Sequence, residues 1–356
     1  MSPTHRQRIQ SAWEGRISGC ILGKPVELLS MQRGHAALSG YLERAGALPL
    51  RDYVPFERDD SVPLQQGCCR GHIRRAEADD DINYTVLALL MLEEQGLDLT
   101  TEAVARSWLR LLPAGWVFTA ELAAYKVLLA HAADFFALGA PPGFDLAECS
   151  DNEWNEWIGA QIRADLYGWV CPGQPDRAAA LARRDAGLSH RGDGVEGAAF
   201  VAACGAAIAA SETLGQAVET ALAELPAGGA ADAVRLGRSL AGDPDGGATI
   251  RKRYAALSPV HTLNNLALVT WSLLTHPDDF GAAVGDVVAA GLDTDCNGAT
   301  VGGLWGLQGK PVPASWTEPW QGRVTVTLAG QGELDLGDLV ERTVALCERF
   351  GVARAG

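Results

Sequence analysis

Two short acidic clusters lie far apart in this chain, each running straight into an apolar segment. The first is Glu77-Ala-Asp79-Asp80-Asp81-Ile-Asn83-Tyr84-Thr85, followed by VLALLMLEE; the second is Asp293-Thr294-Asp295-Cys296-Asn297-Gly298, followed by ATVGGLWG. Acids at a helix start are favoured by the unpaired N–H groups and the macrodipole, so either cluster alone has a plain reading as a cap. Three consecutive aspartates exceed what a cap needs. Like charges this close, beside helices that should be buried, raise one another's pKa unless a cation sits among them. Hard divalent cations take carboxylate oxygens, and neighbouring residues in the first turn of a helix can serve two ions.

Other motif readings compete for the same residues. Asp293 to Gly298 matches the first half of an EF-hand loop, but its twelfth position is Leu304 where a glutamate is required. An aspartyl-phosphatase reading of Asp293-Thr-Asp295 lacks the strand pattern of a βαβ unit. Asp79-Asp80-x-x-Asn83 resembles the Mg²⁺-diphosphate motif of class I terpene synthases, whose second motif would fall near Asp278-Asp279 and Asp286, with Ala282 in the hydroxyl ligand's place. A phosphate-loop reading fails because Lys24 is followed by Pro25 rather than Ser or Thr. Gly15, Gly19 and Gly23 instead line one helix face at a spacing of four and permit close helix packing.

The elements that position these groups read as helices. RAAALARRDAGLSH, GVEGAAFVAACGAAIAAS and LGQAVETALAEL place apolar residues at helical spacing. Thr4 with Gln7 makes a capping box, Asp98 and the following threonines precede TEAVARSWLRLL, Pro113 ends that helix, and Gly96 closes the preceding one. Only RVTVTLAG, residues 323–330, alternates like a strand. The expectation is an all-α fold of a dozen or so helices in one domain spanning 1–356, with loops around 40–71, 141–154 and 228–247.

Composition narrows the partners. The 356 residues carry 29 basic against 44 acidic side chains, a net charge of −15. That balance argues against nucleic-acid binding, no apolar run reaches the roughly 20 residues that span a bilayer, and the N-terminal segment is too charged for a signal peptide. A cytoplasmic protein is expected, its eight scattered cysteines free thiols.

Taken together, the Ala12, Gly15, Gly19, Gly23, Pro25, Glu27 pattern, the DDDINYT run and the GLDTDCNGATVGG run resemble the ADP-ribosylglycohydrolase family. EWIGAQIRADLYGWVCPG, ARRDAGLSH, VHTLNNLALV and the tail from VPASWTEPW to DLVERT are similar to segments in one branch of it. The resemblance implies a compact all-helical fold with two Mg²⁺ or Mn²⁺ ions in a central cleft. It implies hydrolysis of a glycosidic bond at ribose C1 in an ADP-ribosylated or related ribosylated substrate. Carried over by motif, it makes Asp79, Asp80, Asp81, Asp293 and Asp295 metal ligands and Glu27 the general acid or base.

The sequence also departs from the family pattern. Asp79 replaces a threonine ligand, Cys296 stands where a hydroxyl ligand is expected, and Cys20 replaces an acid after the second glycine. The Gly-Asn-Gly-rich segment many members place around ADP-ribose is here residues 159–169. In it Arg163 could bind phosphate and Asp165 a ribose hydroxyl, or the two could pair with each other; Asn83 is a further substrate-binding candidate. The altered segment keeps open a small ribosylated metabolite or nucleoside as substrate, and a silent nucleotide-binding protein on the same fold. His190 and His261 read as core groups or catalysts, and Asn264 and Asn265 as ligand contacts or backbone caps.

Overall fold

A computed structural model describes residues 4–57, 64–135 and 141–351. It is about 66% helical. The first half comprises α1 (His5–Gly23), α2 (Glu27–Arg44), α3 (Asp80–Gln95), α4 (Thr101–Leu111), α5 (Thr119–Ala130), α6 (Asp165–Trp169) and α7 (Pro175–Ala186). Then come α8 (Gly192–Ile208), α9 (Leu214–Ala223), α10 (Gly229–Ser239), α11 (Gly246–Arg253) and α12 (Thr262–Thr275). The last elements are α13 (Phe280–Ala289), α14 (Thr294–Gly306), α15 (Ala314–Thr317), β1 (Arg323–Thr325), β2 (Glu333–Asp335) and α16 (Leu336–Arg349).

Local signals account for most boundaries. Thr4 and Gln7 form the capping box of α1, Thr100 caps α4 by accepting from Ala103 N at 3.2 Å, and Gly96 closes α3 at φ 63°. The alternating RVTVTLAG segment pairs as a strand only over Arg323–Thr325, with Val324 opposite Leu334 in an antiparallel hairpin. Its alternation persists in burial, since Val324, Val326 and Leu328 all point inward.

Two expected loops are partly helical. Gly40 lies inside α2, and the 228–247 stretch contains α10. The glycines and alanines of α10 serve close approach rather than turning. A Cβ on Gly237 would run into the Ala267 carbonyl of α12, so only a side-chain-free position fits there.

The central contact is α1 against α14, antiparallel. A Cβ on Gly15 would fall on the Gly302 carbonyl, one on Gly19 on the Gly298 carbonyl, and one on Gly23 on the backbone of Thr294. This seam brings the C-terminal end of α1, with Lys24 and Glu27 just beyond it, against the N-terminal turn of α14 with Asp293 and Asp295. Thr294 Oγ1 fastens that end by donating to Gly23 O at 2.8 Å.

Candidate active site and metal centre

Three helix ends meet at one point: the end of α1, the start of α3 and the start of α14. Oxygens of Glu27, Asp293 and Asp295 lie within 4.8 Å of one another, and Asp81, Asp295 and the Cys296 thiol form a second such group. Cys20, Asp79 and Asp81 form a third. The two acidic clusters, more than two hundred residues apart, thus build one site. All five predicted metal ligands border it, although Asp80 reaches it from the cavity side.

Sequence reasoning missed the cation at its centre. Lys24 Nζ lies 2.8 Å from Glu27 Oε2, 2.7 Å from Asp79 Oδ2 and 2.9 Å from Asp295 Oδ2. The available signal was a lysine beside the last glycine of the α1 face, three residues from Glu27.

A second buried cation supports the start of α3. Arg16, fully buried on α1, donates from Nε to Thr85 Oγ1 at 2.6 Å and from Nη1 to Asp165 Oδ2 at 2.8 Å. Its Nη2 reaches the Asp81 carbonyl, Asp81 Oδ1 and the Ile162 carbonyl. Asp165 therefore holds Arg16, which in turn holds Asp81, and it is buried and does not line the cavity.

Arg163 is likewise committed. It pairs with Glu121 and Asp185, donates to Ser189 Oγ at 3.1 Å, and stacks over Tyr84 and Trp108. The expected phosphate contact and the alternative Arg163–Asp165 pair are both replaced: each residue has its own buried partner. Burial explains this, since an isolated charge in the core needs a counter-ion within hydrogen-bond reach. Glu121, another buried acid overlooked in the sequence because its helix reads as an apolar segment, lines the cavity where Arg163 holds it.

Asn83 faces protein too, with Nδ2 donating to Thr327 Oγ1 at 2.9 Å and Oδ1 accepting from Thr327 N at 3.0 Å. His190 is buried against Ser189, and His261 caps α12. Asn265 ties α12 to α14: its Oδ1 accepts from Asn297 Nδ2 at 2.7 Å and from Asp293 N at 3.3 Å. The terpene-synthase reading finds no second acid triad, because Asp279 caps α13, Asp286 pairs with Arg51 and His276, and Asp278 pairs with Lys310. The EF-hand-like run is the first turn of α14 rather than a loop.

The arrangement of free oxygens fits a divalent cation. Asp81 Oδ2, Asp293 Oδ1 and Asp295 Oδ1 are buried with no hydrogen-bond partner. Such groups are costly to leave unmatched, and carboxylate oxygens are the donors hard cations take. Asp79 differs, since Oδ1 caps Asp81 N at 3.0 Å and Oδ2 takes Lys24. Asp293 sits at the N-cap of α14 without capping it, and its carboxylate instead lies against Asp295 and the Cys296 thiol.

The electrostatics carry the same message. Burial, then Asp295, pushes Glu27 up to about 9; burial, then Asp79, pushes Asp80 up to about 8. Burial and Asp295 raise Asp293 well above the usual carboxylate range. Burial also pushes against ionisation of Asp295, but Lys24 outweighs it and holds that group low.

Above these acids opens a cavity of about 530 Å³. That is the scale of a small-molecule site. Its wall is largely apolar, with Leu28, Met31, Phe118, Trp157, Ile162 and Val260, and among the described residues Lys24 is its only cation. Two residues at the site hold a left-handed backbone without being glycine: Thr119 on the wall (φ 39°) and Leu292 directly before Asp293 (φ 65°). Conformations of this kind persist where the surrounding structure over-determines them.

A fold that is helical apart from one short hairpin sets an acid-lined cleft at converging helix ends, an arrangement compatible with a hydrolase of glycosidase type and with acidic clusters that could hold metal. Residues 1–350 match the family model for ADP-ribosylglycohydrolase, and the chain belongs to that family. Its fold is similar to that of a solved ADP-ribosylglycohydrolase-related protein complex, at TM-score 0.58 and 16% identity over 96% of this chain and 98% of that one. A search of curated proteins by sequence found no significant match. No helix among the described residues is long and apolar enough to cross a membrane.

Proposed function

We propose that this chain hydrolyses the bond between ribose C1 and its aglycone in ADP-ribosylated or related ribosylated substrates, with divalent cations held by Asp80, Asp81, Asp293 and Asp295. The observation that carries this reading is the convergence of Glu27, Asp293 and Asp295 within 4.8 Å beneath a cavity large enough for a nucleoside. The oxygen donors suit two ions of the Mg²⁺ or Mn²⁺ type. When bound, such ions orient ribose hydroxyls and lower the pKa of water.

The chain's own residues supply the rest. Glu27, at the floor of the cavity beside Lys24 and Asp295, is placed to pass a proton to the departing aglycone atom. As the C1–aglycone bond breaks, a water oxygen bonds C1 and its proton passes to a carboxylate of the cluster. The surrounding acids favour the positive charge that develops on the ribose ring. Lys24 and Arg16 hold the carboxylates in place.

A second reading, a small ribosylated metabolite or nucleoside rather than a modified protein, is favoured by the cavity wall. Among the described residues it offers a diphosphate no uncommitted cation, since Lys24 is shared by three carboxylates. Comparing hydrolysis of an ADP-ribosylated arginine peptide, an ADP-ribosylated serine peptide and simple ribosides, each with Mn²⁺ or with chelator, tests both. Turnover of none of them, or turnover indifferent to chelator, overturns the metal-dependent reading. Free ADP-ribose that inhibits riboside hydrolysis strongly overturns the second.

A further inference from the structure

We infer that Cys296 contributes its sulfur to the metal centre, making it a mixed carboxylate–thiolate site that favours Zn²⁺, Co²⁺ or Fe²⁺ over Mg²⁺. The inference rests on the metal-centre reading and concerns which ion this chain's own donors select. Cys296 is buried, lines the cavity, and places its sulfur within 4.8 Å of oxygens of Asp81 and Asp295. The oxygens left over on those aspartates point to a ligand independently of the sulfur.

Asp81 Oδ1 is taken by Arg16 and Asp295 Oδ2 by Lys24, while Asp81 Oδ2 and Asp295 Oδ1 are buried without partners. Asp81 Oδ2, Asp295 Oδ1 and the Cys296 thiol are therefore left facing one another, with the Cys20 thiol by Asp79 and Asp81 as the other sulfur nearby. The residue in the first turn of α14 that carries the thiol could have carried a hydroxyl without changing the backbone. Sulfur is a poor donor to Mg²⁺ and a good one to Zn²⁺, Co²⁺ and Fe²⁺. On binding, the S–H proton leaves to solvent and the sulfur lone pair bonds the cation, so the thiol adds one negative charge where the two carboxylates already lie.

X-ray absorption of the Zn²⁺-loaded full chain tests this directly. The expected spectrum contains a sulfur shell at about 2.3 Å, absent from Cys296→Ser. Equilibrium dialysis should show Zn²⁺ affinity falling about tenfold or more in that variant, on the scale of disturbing a ligand shell, with Mn²⁺ and Mg²⁺ binding little changed. A shell of oxygen and nitrogen alone in the wild-type chain overturns the inference, as does a sulfur shell that persists in Cys296→Ser. Mn²⁺ binding accompanied by either result leaves the metal-centre reading standing. No binding of Zn²⁺, Mn²⁺ or Mg²⁺ overturns both.

Discussion

Lys24 Nζ and Asp295 Oδ2 lie 2.9 Å apart across 271 residues of sequence. Asp79 and Glu27 take the same ammonium, so three carboxylates from three helix ends share one fixed cation. The helix ends are in effect held together by charge at the point where catalysis is proposed.

Replacing that cation should be felt first in the metal-free protein. Lys24→Met leaves Asp79, Asp295 and Glu27 facing one another in a buried site, at a cost of about 3 kcal/mol by analogy with broken buried pairs. Calorimetry in chelator should show Tm lowered by about 5 °C, with added Mn²⁺ recovering most of the loss. An unchanged Tm would mean that Lys24 is not the counter-ion of this cluster.

Glu27→Gln keeps the shape and removes the titrating proton. If Glu27 transfers that proton, kcat should fall by about 10²- to 10⁴-fold while KM moves little. Steady-state kinetics on whichever riboside is turned over, beside a thermal scan for correct folding, makes the comparison. Activity within a fewfold of the parent chain would remove Glu27 from the mechanism.

Asp165→Asn separates support from substrate binding. Arg16 and Asp165 are both fully buried, so the variant leaves a guanidinium short of a counter-ion, costing about 3–5 kcal/mol. The expected signature is a lower Tm and weaker metal binding through the loosened Asp81. A raised KM with stability intact would restore Asp165 to the substrate.

The metal-free protein should lose stability as pH rises from about 4 to 9. Folded Asp165, Asp80 and Glu27 sit near about 6, 8 and 9, all above their unfolded values near 4. Between those limits the native chain binds more protons than the unfolded one, so the slope of stability against pH is negative. Asp295, held low, acts only below pH 4. Tm in chelator should drop from pH 5 to pH 9, and Mn²⁺ should flatten the drop by taking the protons' place. A rise over that range would contradict the burial assigned to these acids.

Two glycines offer a matched pair. At Gly19 an added Cβ falls on the Gly298 backbone, whereas at Gly40 the nearest atom is the flexible Arg44 side chain at 3.4 Å. Gly19→Ala should unfold the chain or cost more than about 4 kcal/mol, while Gly40→Ala should be neutral or add about 0.5–1 kcal/mol. Equal denaturation midpoints for the two would refute the packing described for α1 and α14.

Much of this was legible in the sequence. The acids at the starts of α3 and α14 announced themselves by exceeding the needs of a cap, and the i, i+4 glycines announced a close helix contact. Lys24 and Arg16 escaped because a cation's partner is set by tertiary geometry. Arg163 and Asp165, two apart, invited a pairing that the core divides between Glu121, Asp185 and Arg16. The α10 stretch read as loose because glycine at a turn and glycine at a tight seam look alike in one dimension.

The α1–α14 seam also acts as a gauge for the chemistry. Its closest atoms belong to main chain on both sides, so no side-chain exchange can slide one helix along the other by less than a full turn, about 5.4 Å. A slip of that size would carry Lys24 and Glu27 out of reach of Asp295. Changes in what this site accepts must therefore come from residues hung on a fixed frame, as Cys296 is, rather than from adjusting the frame.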